Sequence, residues 1–448
     1  MILTLLLILG ILFLSIEFQK HFKIPSPISL IVFSYLFYYL FPHMVVFSEE
    51  SFAELVLFLI PILITADTLQ LKLSDIQKNG WSLFYLAVVA VVLSIIAGFI
   101  VANTLFANYH LEVGAIIALF AMVLATDPVS VVSVFSSFKV PHKLKILAEG
   151  ESLFNDATAL IIFSFVALPM LNGVEISALD IAFISVKVVI ISIAIGFIVG
   201  FIGLFFMQRT QDDMSELVLI LFTGYLAFEI AEHFHVAGLL SVIVAILTLN
   251  TVTEKSLKAA SRRIRKSKRI IDRTNRSRKV FSSRFMSGIS NKLKSDITTM
   301  EQHNQNIKYI SVLALLANAF LFISMASIVN LDLLLKYQTE ILWMFLTTTL
   351  IRAIMMAKFS YISNRFKSMT DINFRWWSVL LFAGIKGGLS IVMLQMLPHG
   401  FEHRELFDAI VVGVILLSTI TYALSLVFII TYNKKVFEKE YDAELHHD

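Results

Sequence analysis

The chain has 448 residues, 58% of them hydrophobic and 15% charged, with a mean hydropathy of +0.82. Soluble domains run nearer about 45–50% apolar and about 25% charged, so an ordinary water-soluble protein is excluded. The absence of cysteine excludes disulfides, thiolate metal sites and cysteine nucleophiles. The net charge of +3 matters less than where the basic residues fall.

Met1 to Ser15 is apolar without a basic n-region or a small-residue cleavage site, and is expected to be a retained first helix. Further apolar runs follow at about 25–47, 51–70, 81–107, 111–136, 144–170, 178–207, 214–232, 235–250, 309–329, 337–357, 376–397 and 406–432. With the first, about 1–18, they predict an all-α polytopic membrane protein of about thirteen transmembrane helices. Basic residues gather in alternate connections: Lys20 and Lys23; Lys72 and Lys78; Lys139, Lys143 and Lys145; Arg209; and Lys358, Arg365, Lys367 and Arg375. Lys434, Lys435 and Lys439 lie in the short tail, 433–448. Because basic loops stay cytoplasmic, this alternation puts the N-terminus outside an inner membrane and the C-terminus inside.

The connection at 251–308 is strongly basic, with Arg262, Arg263, Arg265, Lys266, Lys268 and Arg269 among many others. Tied between two membrane helices, it is a poor nucleic-acid binder and reads first as a solvated cytoplasmic loop. Phe281, Phe285, Ile289, Leu293 and Ile297 recur every fourth residue beside Lys292 and Lys294, which also suits a helix within 278–300 lying on the inner leaflet, with anionic lipids met at 262–294.

A charged side chain at the bilayer centre costs about 2.5–3.5 kcal/mol on insertion scales, so each one needs a reason. The fifth span contains Ala-Thr-Asp-Pro-Val, where Pro128 removes a backbone donor and disfavours helix at Asp127. The sixth carries Glu149, Glu151, Ser152, Asn155 and Asp156. At helical spacing Ser152 and Asp156 share one face, with Glu151 and Asn155 on the adjoining row. Asp127, Asp156, Ser152 and the hydroxyl or carbonyl of Thr126 would form a cage of hard oxygens suited to a hard cation. No metal site is expected beyond a monovalent cation, and no cofactor. Positive partners lie downstream: Arg352 in the eleventh span, and Lys386 in Ala-Gly-Ile-Lys-Gly-Gly, whose glycines Gly384, Gly387 and Gly388 mark a second break. Broken helices at corresponding places, the fifth and the twelfth, predict inverted repeats that cross near mid-membrane. Glu149, one turn from Ser152 and Asp156, would guide cations inward. Glu229, Glu232, His233 and His235 read as a polar rim rather than a metal site.

The stretches ATDPVSVVSVF (125–135), LAEGESLFNDATALIIF (147–163), LLANAFLFI (315–323) and FAGIKGGLSIVML (382–394) resemble the monovalent cation/proton antiporter family, in its sodium/proton exchanger branch. The resemblance covers about residues 10–430. It implies a homodimer whose dimerisation part is mainly 1–80 and 178–330, and an ion-translocating core, 81–170 and 337–432, that shifts like an elevator. It implies binding of Na+, Li+ or K+ by Asp156 with Asp127, Thr126 and Ser152, and pairing of Glu151 with Arg352. Asn155 before Asp156 is the pattern of electroneutral members. Three departures are plain: Lys386 stands where the family usually has Arg; Thr65, with Asp67 nearby, stands where many members have a third-helix acid; and the basic loop at 251–308 is longer than the family needs. Burial and a second carboxylate both disfavour the charged form, so one site can hold a proton and a cation in turn, which suffices for exchange. An intramembrane aspartyl protease would need a Gly-x-Gly-Asp arrangement, absent here, and a channel would show a repeated pore loop or charge rings.

Overall fold

The structure is a computed structural model that describes residues 2–22, 26–41, 49–210, 212–251, 305–323, 331–398 and 400–447, with the isolated positions 253, 262 and 264. The lipid-facing helix expected within 278–300 lies outside the described residues, as does the lipid-contact segment 262–294 apart from positions 262 and 264. Among the described residues the chain is helical, without strands.

In chain order the helices are α1 (Ile2–Phe22), α2 (Ser26–Leu40), α3 (Glu49–Gln70), α4 (Leu73–Lys78), α5 (Gly80–Leu105), α6 (Val113–Leu124), α7 (Pro128–Phe135) and α8 (His142–Leu171). Then come α9 (Ala178–Met207), α10 (Asp213–His233), α11 (Gly238–Thr251), α12 (Gln305–Ile323), α13 (Leu331–Lys336) and α14 (Gln338–Ser363). The last four are α15 (Phe374–Phe382), α16 (Gly388–Gln395), α17 (Arg404–Tyr432) and α18 (Lys434–His447). Within the described residues each predicted span overlaps one helix or a broken pair, though apolar stretches such as Ile28–Leu40, Val113–Leu124 and Gly238–Thr251 are shorter than a full span. Among the described residues, 7 helices are long and apolar enough to cross a membrane, and their outward faces carry large apolar side chains such as Phe183, Ile190 and Phe201. Such faces suit lipid, not water.

The fifth predicted span is the pair α6 and α7, and the twelfth is α15 and α16. In each the chain leaves the helix for a few residues, 125–127 and 384–387. Two longer helices contain a single π turn, Tyr85–Val89 in α5 and Phe163–Ala167 in α8.

Two compact units can be distinguished. The first comprises 1–60, 74–191 and 315–448. Within it α17 is central, packing on α14, α15, α16, α6 and α7. Its main core joins Leu144 and Leu147 of α8, Phe359 of α14, Trp376 and Val379 of α15, and Tyr422 of α17. A second cluster seals α1 and α2 against α12 through Ile8, Ile11, Leu30, Ala319 and Phe322.

The other unit comprises 61–73 and 192–314. Here α9 meets α11 so closely that a Cβ on Gly196 would lie 2.6 Å from the Ser241 carbonyl, and one on Gly200 2.8 Å from that of Ala245. Small residues allow this approach where lipid offers helices no hydrophobic drive to associate. Asn250 donates to the carbonyls of Leu69 and Leu71 at 3.3 and 3.1 Å, tying α11 to the end of α3. Thr65 and Asp67 are both buried in this unit, Thr65 against Gly224.

Candidate ion site at the crossing of two broken helices

Helix α6 stops at Leu124, and Ala125 to Asp127 are extended because Pro128 forbids their continuing as helix. The same proline is well placed at the first position of α7, where its missing N–H is no loss. Asp127 caps that helix: one carboxylate oxygen accepts the Ser130 N–H at 3.1 Å and, in a shorter bond, the Ser130 hydroxyl. The Asp-Pro-Val-Ser spacing carries this cap, although the ion-site reading above passed over Ser130.

Helix α8 lays its polar face on the break. Asp156 Oδ1 accepts the Thr126 N–H at 2.7 Å. Ser152 donates its hydroxyl to Thr126 Oγ1 at 2.8 Å. Asn155 Nδ2 donates to the Leu124 carbonyl at 3.0 Å and to Thr126 Oγ1 at 3.2 Å. Thr126, Asp127, Ser152, Asn155 and Asp156 are all buried. Three side chains within little more than one turn of α8 thus converge on Thr126 and the Leu124 carbonyl beside it.

The second break crosses the first. The Asp127 N–H donates to the Ile385 carbonyl at 2.7 Å. A Cβ on Gly387 would sit 2.5 Å from Asp127 Cβ, so only glycine permits this approach. Lys386, fully buried, aims its ammonium at the Leu124 carbonyl, 3.3 Å away, while its N–H is 3.3 Å from the Ser418 hydroxyl of α17. A helix C-terminus carries unsatisfied carbonyls and partial negative charge. The end of α6 therefore receives both an ammonium and an amide.

The end of α15 is served in the same way. Arg352 of α14 donates from Nε to the Leu381 carbonyl and from Nη2 to that of Leu380, both at 3.0 Å. Its fork also grips Glu151 of α8 at 2.9 and 2.8 Å, a buried bidentate pair. A Cβ on Gly384 would overlap the Arg352 guanidinium. Each broken helix thus ends on a cation, Lys386 for one and Arg352 for the other.

Three carboxylates, Asp127, Glu151 and Asp156, face two cations, Lys386 and Arg352, so with all of them ionised the buried group has one negative charge to spare. Asp127, Glu151 and Lys386 all lie near enough to Asp156 to act on its charge. Beside them a cavity of about 20 Å³ is lined by Leu86, Ser94, Glu151, Asn155 and Arg352, among others. That is room for a single water. Glu149 is also buried, with the Lys145 ammonium 3.5 Å away on the exposed side.

A family model described as the transmembrane sodium/hydrogen exchanger matches residues 4–271. The chain is 26% identical over 381 residues to the Na(+)/H(+) antiporter NhaG of Bacillus atrophaeus, covering 84% of this chain and 63% of that protein. It is 25% identical over 420 residues to the Na(+)/H(+) antiporter ApNhaP of Aphanothece halophytica, covering 93% of this chain and 71% of that one. The chain thus spans somewhat under two thirds of the first relative's length. In fold it is similar to the sodium proton antiporter MjNhaP1 from Methanocaldococcus jannaschii, with a TM-score of 0.66 at 15% identity, over 95% of this chain and 98% of that one.

Proposed function

Since the chain belongs to the sodium/hydrogen exchanger family, we propose that it is a secondary antiporter exchanging Na+ for H+ at the carboxylate of Asp156. The observation that carries this reading is the convergence of Asp156, Ser152 and Thr126 on the break beside Asp127. Oxygens of that kind bind a hard monovalent cation. Asp127 supplies the second carboxylate, Asn155 and Lys386 hold the end of α6 in place, and the Glu151–Arg352 pair locks α8 to the end of α15. Glu149 stands nearer the start of α8 and draws cations inward.

The spare negative charge sets the rule of exchange. One Na+ or one H+ neutralises it, whereas an empty site would cross the bilayer as a buried net charge at a cost of several kcal/mol. Only the loaded core passes, and it passes with one ion of either kind. One-for-one, electroneutral exchange follows. The core, 81–170 and 337–432, moves as an elevator against a dimerisation part at 1–80 and 178–330, with a second copy of the chain completing the homodimer. The basic loops place the C-terminus in the cytoplasm and the N-terminus outside an inner membrane, and anionic lipids are met at 262–294.

The test is acridine-orange dequenching in everted vesicles, scanning Na+, Li+ and K+ from acid to alkaline pH. Sodium-driven dequenching supports the proposal, and its absence with all three cations ends it. A response to K+ alone would retain the exchange and change the cargo. Clamping the membrane potential with valinomycin and potassium should leave the rate unchanged; acceleration would overturn electroneutrality.

A further inference from the structure

Helix α18 is short, half of its residues are charged, and a helix of its length is marginal in isolation. One face holds it in place. Phe437, Glu440, Tyr441 and Glu444 follow at helical spacing and are buried or half-buried, while Lys435, Lys439 and Asp442 face outward. Phe437 is fully buried in the main core with Trp376, Leu144 and Tyr422.

The two glutamates on that face reach two different helices. Glu444 accepts the backbone N–H of His142, the first residue of α8, at 2.6 Å. That N–H has no partner within α8, so the carboxylate satisfies an orphan donor at the positive end of the helix. Glu440 accepts from Arg375 Nη2 at 2.8 Å and from the Trp376 indole at 3.0 Å, both in the first turn of α15. The same two helices meet again deeper in the molecule, where Glu151 of α8 and the Leu380 and Leu381 carbonyls of α15 share Arg352. The two junctions are about 14 Å apart along α8, counting nine residues of helical rise. Between the junctions Leu144 and Leu147 of α8 share the main core with Trp376 and Val379 of α15, and directional polar bonds at either end fix how the two helices are set on that apolar packing.

We propose that α18 is a clip that fixes the N-terminal ends of α8 and α15 to each other throughout transport, with Glu440 and Glu444 as positioning residues for the Asp156 site. Its functional consequence rests on the antiport reading; its geometry does not. Asp156 and its partner Thr126 are set by α8, and the crossing peptide 384–387 is set by α15. A core that loosens between them loses the register of the two breaks without losing any ion ligand.

In the full-length chain, Glu440→Gln combined with Glu444→Gln keeps both shapes and removes both charges. The expected result in vesicles is a severalfold loss of turnover at saturating Na+ with the half-saturating concentration unchanged. A rescue separates positioning from general damage. The chain has no cysteine, so His142→Cys with Glu444→Cys offers two unique thiols to a short bis-maleimide. Turnover is reduced before crosslinking and recovers after it. Wild-type turnover in the glutamine variant, poor crosslinking, or turnover that falls further on crosslinking would each overturn the clip. Should the glutamine variant fail to fold, the crosslinked pair decides. Should the unmodified chain show no cation-driven proton movement, the antiport reading alone fails, because crosslinking yield and the thermal melting of the glutamine variant still uphold or overturn the clip.

Discussion

Replacing Glu151 by glutamine tests how the two broken helices are held. Arg352 makes four bonds in the structure, two to the Glu151 carboxylate and two to the Leu380 and Leu381 carbonyls. Glutamine keeps one oxygen to accept a bond but brings no charge and turns an amide donor toward the guanidinium. The loss of one charge-assisted bond is worth about 1.5–3 kcal/mol. Leaving a buried cation without its counter-charge raises the total to about 3–5 kcal/mol. Reversible unfolding of detergent-solubilised protein, followed by intrinsic tryptophan fluorescence, measures this directly. Adding Arg352→Met to Glu151→Gln should recover much of the loss, with a coupling energy of about 2 kcal/mol or more. If Glu151→Gln lies within about 0.5 kcal/mol of the wild type, or if the two single effects simply add, the pair is not what joins α8 to α14 and α15.

Asp156→Asn should abolish cation-driven proton movement in vesicles while the protein still inserts and folds; sodium-dependent dequenching in that variant would remove Asp156 from the site. Gly387→Ala drives a methyl group onto Asp127 Cβ and should cost about 1–3 kcal/mol of stability together with most of the transport, read by the same two assays. Lys386→Arg keeps a cation at the end of α6 and should retain exchange, whereas Lys386→Met leaves the Leu124 carbonyl with only Asn155 and should lose it. Equal activities in the two Lys386 variants would show that charge at this point is dispensable.

Much of this arrangement was legible before any coordinates. Pro128 after Asp127 and the Gly384–Gly387–Gly388 cluster announce breaks through local chemistry alone, because proline and glycine act on their own stretch of backbone. The alternation of Ser152 and Asp156 with Glu151 and Asn155 follows from helical period, and the structure turns one row to Thr126 and Glu151 to Arg352. What the chain does not announce is contact across long separations. That the Asp127 N–H meets Ile385, or that Arg352 reaches the Leu380 and Leu381 carbonyls, depends on how distant helices cross. The π turns at Tyr85–Val89 and Phe163–Ala167 leave no mark in composition, since the same residues suit an ordinary α-helix. Glu440 and Glu444 look like solvated charges on a polar tail. Only the sites they reach, an orphan N–H and an indole, give them a purpose. Pairing of Glu151 with Arg352 came from family resemblance, not from spacing.

The bond from the Asp127 N–H to the Ile385 carbonyl runs from main chain to main chain. No exchange of side chains can delete it, short of a proline at position 127, which removes the hydrogen. A mutational scan would therefore register this junction only indirectly, at the neighbouring Gly387, whose bareness lets the two non-helical segments touch. Every hydroxyl and carboxylate around it can be substituted while the joint that frames them stays in place, because it is made of main chain alone.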